Sequence, residues 1–320
     1  MIKVLANDGI KDSGKELLEK NGFEIDTRFR DKDELLQDIS SFDALLVRSA
    51  TKVTQEVMDA ASRLRFIGRG GVGLDNIDLA YAEKKGIKVF NTPGASSQSV
   101  AELVMAHMYT GARFLQDANR RMPREGHDQF KELKKQYSKG RELSGKTLGI
   151  VGFGRIGQAV GRLALGAGMK IKPYDMLFKE TMHFELSQID CNGQAPMVSL
   201  RPNSLEDVLR ESDIITFHIP FASGSSYFIS NAEFEKMKDG VMIINAARGG
   251  VIDEQALLDQ LNSGKVSFAG LDVFENEPRP REDLLQHPRV SLTPHIGAST
   301  TEGQDRVWIE MAHHLINFFK

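Results

Sequence analysis

Lys146-Thr-Leu-Gly-Ile-Val-Gly-Phe-Gly-Arg-Ile-Gly157 constrains this chain more than any other stretch, because a short apolar run leads directly into Gly152-x-Gly154-x-x-Gly157 and then into helix-forming residues. In a strand, turn and helix each glycine has its own reason. Gly152 permits the tight turn, Gly154 lets the backbone approach a pyrophosphate, and Gly157 lets the following helix pack on its strand with its NH groups aimed at phosphates. A second apolar run ends at Asp175, 18 residues past Gly157. An acid there accepts hydrogen bonds from both ribose hydroxyls and repels a 2′-phosphate, which favours NAD over NADP.

The rest of the chain supplies a setting for that turn. Apolar runs at 2–6, 24–29, 44–47, 64–67 and 87–90 alternate with helix-like segments, which implies a parallel sheet covered by helices. A second series at 148–151, 170–174, 213–218, 241–245, 267–271 and 290–292 fits a dinucleotide domain of the doubly wound type. Between them, Ser99-x-x-Glu102 reads as a capping box opening a helix that is apolar on nearly every side. Such a helix must be covered on most faces, by a second domain, a second subunit or one domain's interior. Residues 119–140, rich in Lys, Arg and Gln, read as a solvated loop or arm. Residues 178–202 are polar, weakly periodic and longer than a simple connection needs.

At 320 residues the chain exceeds what one compact core usually organises, so two domains are expected. A net charge of −3 offers no basic field for nucleic acid or an anionic membrane, so an anionic ligand must be met locally. The amino terminus is too soon interrupted by polar residues for a signal peptide, and no run approaches the roughly 18 apolar residues of a membrane span. A cytoplasmic location is the default. Cys191, the lone cysteine, reads as an incidental thiol, and no metal site is expected.

Ligands in open α/β sheets sit beyond the carboxyl ends of the strands. Three consecutive strand ends there are polar: Asn245-Ala-Ala-Arg248-Gly-Gly, Asp272-Val-Phe-Glu275-Asn-Glu277-Pro, and Thr293-Pro-His295-Ile-Gly297. A guanidinium such as that of Arg248 binds a carboxylate through two parallel hydrogen bonds and polarises an adjacent carbonyl. Hydride transfer between a hydroxy acid and nicotinamide must also move a proton, and His295 titrates near the working pH. Glu277 on its far nitrogen would fix the tautomer and raise its pKa. Arg48, Arg69 and Lys52 are cations available for a phosphate, and the NH groups of Val72 and Gly73 for a carboxylate.

With these residues the chain resembles the D-isomer-specific 2-hydroxyacid dehydrogenases. The likeness also rests on Arg48-Ser-Ala-Thr-Lys-Val-Thr54, Gly68-Arg-Gly-Gly-Val-Gly-Leu-Asp-Asn-Ile-Asp78, Asn91-Thr-Pro-Gly94 and Thr293-Pro-His-Ile-Gly-Ala-Ser-Thr-Thr-Glu-Gly-Gln304, and it extends from about residue 44 to 306. The resemblance implies an α/β fold of two doubly wound parallel-sheet domains, a Rossmann NAD domain (99–296) inserted in a flavodoxin-like substrate domain (1–98 plus 297–320). Hinges near 97 and 296 and a homodimer through the NAD domains come with it. It makes Arg248 the substrate arginine, Glu277 the partner of the histidine and His295 the acid/base. It also implies cofactor contacts from Arg155, Ile156, Asp175, His218, Ile219, Pro220, Ala246, Asp272 and Gly297. Within the family the likeness is greatest to the branch that oxidises 3-phosphoglycerate with NAD at the entry to serine synthesis. A reductase of unphosphorylated hydroxypyruvate or glyoxylate, and a non-catalytic NAD(H)-sensing protein, share much of the same set. Three features depart from the pattern: the length of 178–202, the lack of a tryptophan in 121–139, and an end at Lys320, where longer relatives carry regulatory domains, so that serine feedback is not expected. Lys139, in the basic arm, is a candidate for a neighbouring subunit's site.

Overall fold

The computed structural model describes residues 1–186, 196–221 and 224–320. Two compact units emerge, one from Met1–Ser99 with Ala298–Lys320 and the other from Val100–Gly297. No helix among the described residues is long and apolar enough to cross a membrane.

In the first unit, β1 (Ile2–Ala6), β2 (Phe23–Asp26), β3 (Ala44–Val47), β4 (Phe66–Arg69) and β5 (Lys88–Asn91) form a parallel sheet in the order β2-β1-β3-β4-β5. Its helices are α1 (Asp12–Lys20), α2 (Lys32–Asp38), α3 (Gln55–Ala60), α4 (Leu79–Lys84) and, from the other end of the chain, α13 (Thr301–Phe319). Alternation along the strands serves both faces. Leu5, Leu45, Val47 and Ile67 pack on Leu35, Val57, Met58 and Ala82, while Val4, Ala6, Leu46 and Phe66 pack on Leu18, Val307, Trp308 and Leu315. Helices α1 and α13 approach closely because Gly14 has no side chain: a Cβ there would lie 2.8 Å from the Cβ of Trp308.

The second unit begins within α5 (Ser97–Arg113) and continues through α6 (Leu115–Glu125) and α7 (Phe130–Gln136). Its main sheet contains β6 (Thr147–Val151), β7 (Lys170–Tyr174), β10 (Ile214–Phe217), β11 (Val241–Asn245), β12 (Val266–Leu271) and β13 (Val290–Leu292), all parallel, in the order β13-β12-β11-β10-β6-β7. The helices are α8 (Arg155–Gly166), α9 (Leu205–Glu211), α10 (Asn231–Lys236), α11 (Glu254–Ser263) and α12 (Glu282–Leu285). Strands β10 and β11 are buried throughout, as a parallel sheet covered on both faces requires. Strand order reverses beside β1 in the first sheet and beside β6 in the second, the places where such sheets bind ligands.

Four expectations are corrected. Ser99 is not a helix cap: α5 starts two residues earlier, and the Ser99 hydroxyl instead meets that of Thr300 at 2.8 Å. Residues 119–140 are largely helical, not a loop. Their charge becomes surface pairing, with Arg121 bridging Glu125 one turn on and Tyr137 donating to Asp117 at 2.8 Å, while Leu133 is buried. Strand β2 ends at Asp26, whose carboxylate accepts the Arg28 amide and turns the chain out of the sheet. Finally, the 178–202 stretch is not simply polar. Here β8 (Met182–Glu185) and β9 (Met197–Leu200) pair antiparallel, and Phe178, Leu186 and Leu200 join the core of the second unit. Cys191 lies outside the described residues.

Candidate active site

The glycine turn sits where β6 delivers it. Gly152 has φ +90°, a conformation that favours glycine, and a side chain there would collide with the His218 carbonyl that follows β10. Gly157 packs on the Gly152 carbonyl with no room for a Cβ, so the first turn of α8 lies directly on the loop. Gly154 is the opposite case: a Cβ would meet nothing within 4 Å, and Gly154 and Arg155 are exposed. The first amides of α8, Arg155 and Ile156 among them, have no intrahelical acceptor and no side-chain cap. An open approach to uncapped amides at a positive helix end suits a pyrophosphate, so the turn fits a dinucleotide. Asp175, one residue beyond β7, accepts the Phe153 amide at 2.7 Å and the Leu177 amide at 2.8 Å, so its carboxylate is fixed beside the turn. Across the switch point, burial holds the His218 imidazole neutral, pushed down to about 3, with Nε2 3.1 Å from Thr216 Oγ1. Ile219 and Ala246 are half-buried and Pro220 is exposed.

Three neighbouring strand ends carry Arg248, Glu277 and His295. After β11, Asn245 accepts the Ala247 amide and donates to the Arg248 carbonyl at 3.0 Å, closing a tight loop in which Gly249 packs on the Phe274 carbonyl. The guanidinium of Arg248 donates to the Ala247 carbonyl at 2.7 Å. After β12, Glu277 accepts the Phe274 amide at 3.0 Å with one oxygen and meets His295 Nδ1 at 2.7 Å with the other. That bond is the largest influence on His295. With the Glu277 and Asp272 charges behind it, it holds the imidazole above its usual pKa against burial and Arg248. Burial opposes ionisation of Glu277, but His295, the Phe274 amide and Arg248 together keep its carboxyl below the usual range. The pair therefore favours imidazolium and carboxylate, and with Nδ1–H on Glu277, Nε2 is left to exchange a proton. His295 is half-exposed and has φ +54°, a left-handed backbone that costs a residue other than glycine on the order of 1–3 kcal/mol and needs support from its surroundings.

That support comes from Asp272. Its carbonyl accepts the His295 amide at 2.8 Å, and its carboxylate accepts the amides of Ile296 and Gly297, each at 2.8 Å, and the Thr293 hydroxyl at 2.6 Å. Asp272 is 1% exposed and Gly297 is buried, so side chain and amide bond each other beneath the loop. Sequence reading missed Thr293 as a participant, although it stands two residues before His295.

In the first unit, Arg48 follows β3 and Arg69 ends β4; both are half-buried. The loop after β3 is fixed by its backbone. Asp8 accepts the Arg48 amide at 2.7 Å and the Thr51 amide at 3.1 Å, and Asn76 donates to the carbonyls of Arg48 and Thr51 at 2.9 and 2.7 Å. Asp8 and Asn76 were also missed; Asp8 stands past the end of β1, where the strand-end rule points. The Arg69 side chain folds over Gly71, and Asn91 holds the Val72 carbonyl at 2.6 Å beside Gly73. Lys52 and Lys139 are exposed.

A doubly wound sheet with this turn, followed by Arg248 and a Glu277–His295 pair on successive strand ends, is the arrangement that an NAD-dependent oxidoreductase needs. Residues 105–297 match the D-isomer specific 2-hydroxyacid dehydrogenase, NAD binding domain. A hydroxypyruvate reductase of Thermotoga maritima is 45% identical over 317 residues, 98% of this chain and 97% of that protein. A D-3-phosphoglycerate dehydrogenase of Methanocaldococcus jannaschii is 41% identical over 309 residues, 95% of this chain and 55% of that protein; the chain spans little more than half the length of such relatives. The NAD-bound 3-phosphoglycerate dehydrogenase structure from Entamoeba histolytica superposes with a TM-score of 0.76 at 28% identity, covering 99% of this chain and 95% of that one. The chain belongs to the D-isomer-specific 2-hydroxyacid dehydrogenases.

Proposed function

We propose that the protein is a D-3-phosphoglycerate dehydrogenase that interconverts 3-phosphoglycerate and 3-phosphohydroxypyruvate, serving serine synthesis in the cytoplasm. The observation that carries this reading is the pair of arginines at strand ends of the first unit, Arg48 on a loop fixed by Asp8 and Asn76 and Arg69 over Gly71. Two guanidiniums on fixed backbone suit a substrate with an anionic group besides its carboxylate. Under this reading the first unit is the substrate-binding domain, and two copies pair through their NAD-binding domains.

The chemistry that NAD supplies when bound is hydride transfer to or from the carbon bearing the hydroxyl. Everything else falls to the chain. Arg248 holds the 2-hydroxy-carboxylate and polarises the neighbouring C–O bond. His295 Nε2 takes the hydroxyl proton in oxidation and returns it to the carbonyl oxygen in reduction. Glu277 keeps the proton on Nδ1 and stabilises the imidazolium that oxidation creates. The uncapped amides of Arg155 and Ile156 hold the pyrophosphate, and Asp175 excludes a 2′-phosphate.

The Thermotoga relative, matched over nearly its whole length, favours a second reading, reduction of unphosphorylated hydroxypyruvate. A substrate panel followed by NADH absorbance separates the two. The first reading expects kcat/KM for 3-phosphohydroxypyruvate to exceed that for hydroxypyruvate and glyoxylate; the reverse order replaces it with the second. Tight NADH binding with no turnover of any 2-keto acid would remove both.

A further inference from the structure

Helix α5 carries a histidine into the interior of the NAD-binding unit. His107 is 3% exposed, and β12 makes room for it: a Cβ at Gly270 would come within 2.6 Å of the His107 Cβ. One helical turn on, Gly111 lies with equal closeness against Phe268, so residues 107 and 111 on the helix match 270 and 268 on the strand. A glycine inside a strand marks such an approach of another element. An apolar side chain would fill the space without bringing two ring nitrogens that must find partners.

Both nitrogens find them, and the partners lead to the reactive loop. Nδ1 lies 3.0 Å from Ser291 Oγ and Nε2 lies 3.1 Å from Thr293 Oγ1. Asp272 already accepts two backbone amides, so the Thr293 hydroxyl donates to it at 2.6 Å and must itself accept from His107 Nε2–H. That fixes the tautomer, leaving Nδ1 to accept from Ser291. Burial, opposed only by the Asp272 charge, holds the imidazole in the neutral form this requires. The chain of bonds runs from His107 through Thr293 and Asp272 to the amides of Ile296 and Gly297, and the Asp272 carbonyl holds the amide of His295 itself.

We propose that His107 is a positioning residue for the reaction: through Thr293 and Asp272 it sets the backbone of residues 295–297 and with it the aim of the His295 ring. The inference rests on the acid/base role given above to His295.

The test uses the full chain with NADH and whichever of 3-phosphohydroxypyruvate and hydroxypyruvate it reduces. His107→Leu should lower kcat roughly tenfold, the scale of a small misplacement of a reacting group, with KM and NADH affinity changed by less than about threefold. His107→Gln, which keeps a donor for Thr293, should recover most of the loss. Thr293→Val should reproduce it, and the double variant H107L/T293V should be no slower than the worse single variant, because both break one chain of bonds. Wild-type kcat in H107L or in T293V would overturn the proposal, as would losses that multiply in the double variant. Where H107L does not fold, T293V and H107Q decide. His295→Gln, run alongside, separates the two ideas: if it keeps turnover the reading of His295 falls, whereas if it alone loses turnover only the role of His107 does.

Discussion

At the strand ends of the first unit, side chains hold backbone: Asp8 takes the amides of Arg48 and Thr51, and Asn76 takes their carbonyls. At those of the second unit, reactive side chains also hold each other, Glu277 against His295 at 2.7 Å with Arg248 acting on both through its charge. The two sheets share one architecture, and under the proposed function the difference lies in what their ends must do. A group that only binds an anion needs a fixed backbone behind its guanidinium. A group that exchanges a proton needs its tautomer and its pKa set as well, which takes a partner at its far nitrogen.

The largest effect that this contrast predicts is at His295. His295→Gln keeps bulk and polarity but cannot carry a proton between water and substrate, so kcat should fall by between about 10² and 10⁴, the usual range for loss of a general acid/base. The loss should be the same for phosphorylated and plain substrates, because proton transfer is common to both. NADH binding, measured by fluorescence titration, should change little. Wild-type-like turnover would place the proton exchange elsewhere.

Glu277→Gln sharpens the same side of the comparison. The Phe274 amide already donates to one Glu277 oxygen, so a glutamine there turns its NH₂ toward Nδ1 and favours the wrong tautomer of His295. A drop in kcat of roughly 10- to 100-fold is expected. The pH profile should move too. Glu277 raises the pKa of His295, so its removal lowers it. Oxidation needs neutral His295 and rises with pH through that pKa; reduction needs the imidazolium and falls through it. Both midpoints should therefore shift to lower pH in the variant, and unmoved midpoints would mean the observed limbs belong to another group.

Much of this was legible in the sequence for reasons the structure makes plain. Buried parallel strands are continuous apolar runs, so all eleven strands of the two main sheets were located within a few residues, and the glycine turn announced itself because two of its three glycines fill positions that no side chain can occupy. Arg248, Glu277 and His295 could be picked because they follow strand ends and have a chemistry of their own. Less visible were residues whose role depends on a partner far along the chain. Thr293 and His107 look like ordinary strand-end and helix residues until they lie 3.1 Å apart across 186 positions, and Ser99 reads as a cap until Thr300 is found beside it. The 119–140 segment misled for another reason: its apolar positions, Met122, Phe130, Leu133 and Tyr137, do have helical spacing but are few, and the charged and amide residues between them hide the period.

The smallest effect tests the first unit, and its loop makes the test clean. Every bond that ties residue 48 to Asp8 and Asn76 uses its main chain, so Arg48→Ala leaves the loop's anchors in place. What it removes is the guanidinium. If that group binds the substrate's phosphate, kcat/KM for 3-phosphohydroxypyruvate should fall roughly tenfold, near the lower end for a charge-assisted hydrogen bond, while that for hydroxypyruvate stays within about threefold. Arg69→Ala is less clean, because the Arg69 side chain also covers Gly71 and donates to the Gly70 carbonyl at 3.3 Å, so some loss on both substrates is expected there. Equal losses on both substrates in the Arg48 variant would assign that arginine to the carboxylate shared by the two. The first unit would then recognise only what every member of the family must, and the case for a phosphorylated substrate would lose its support.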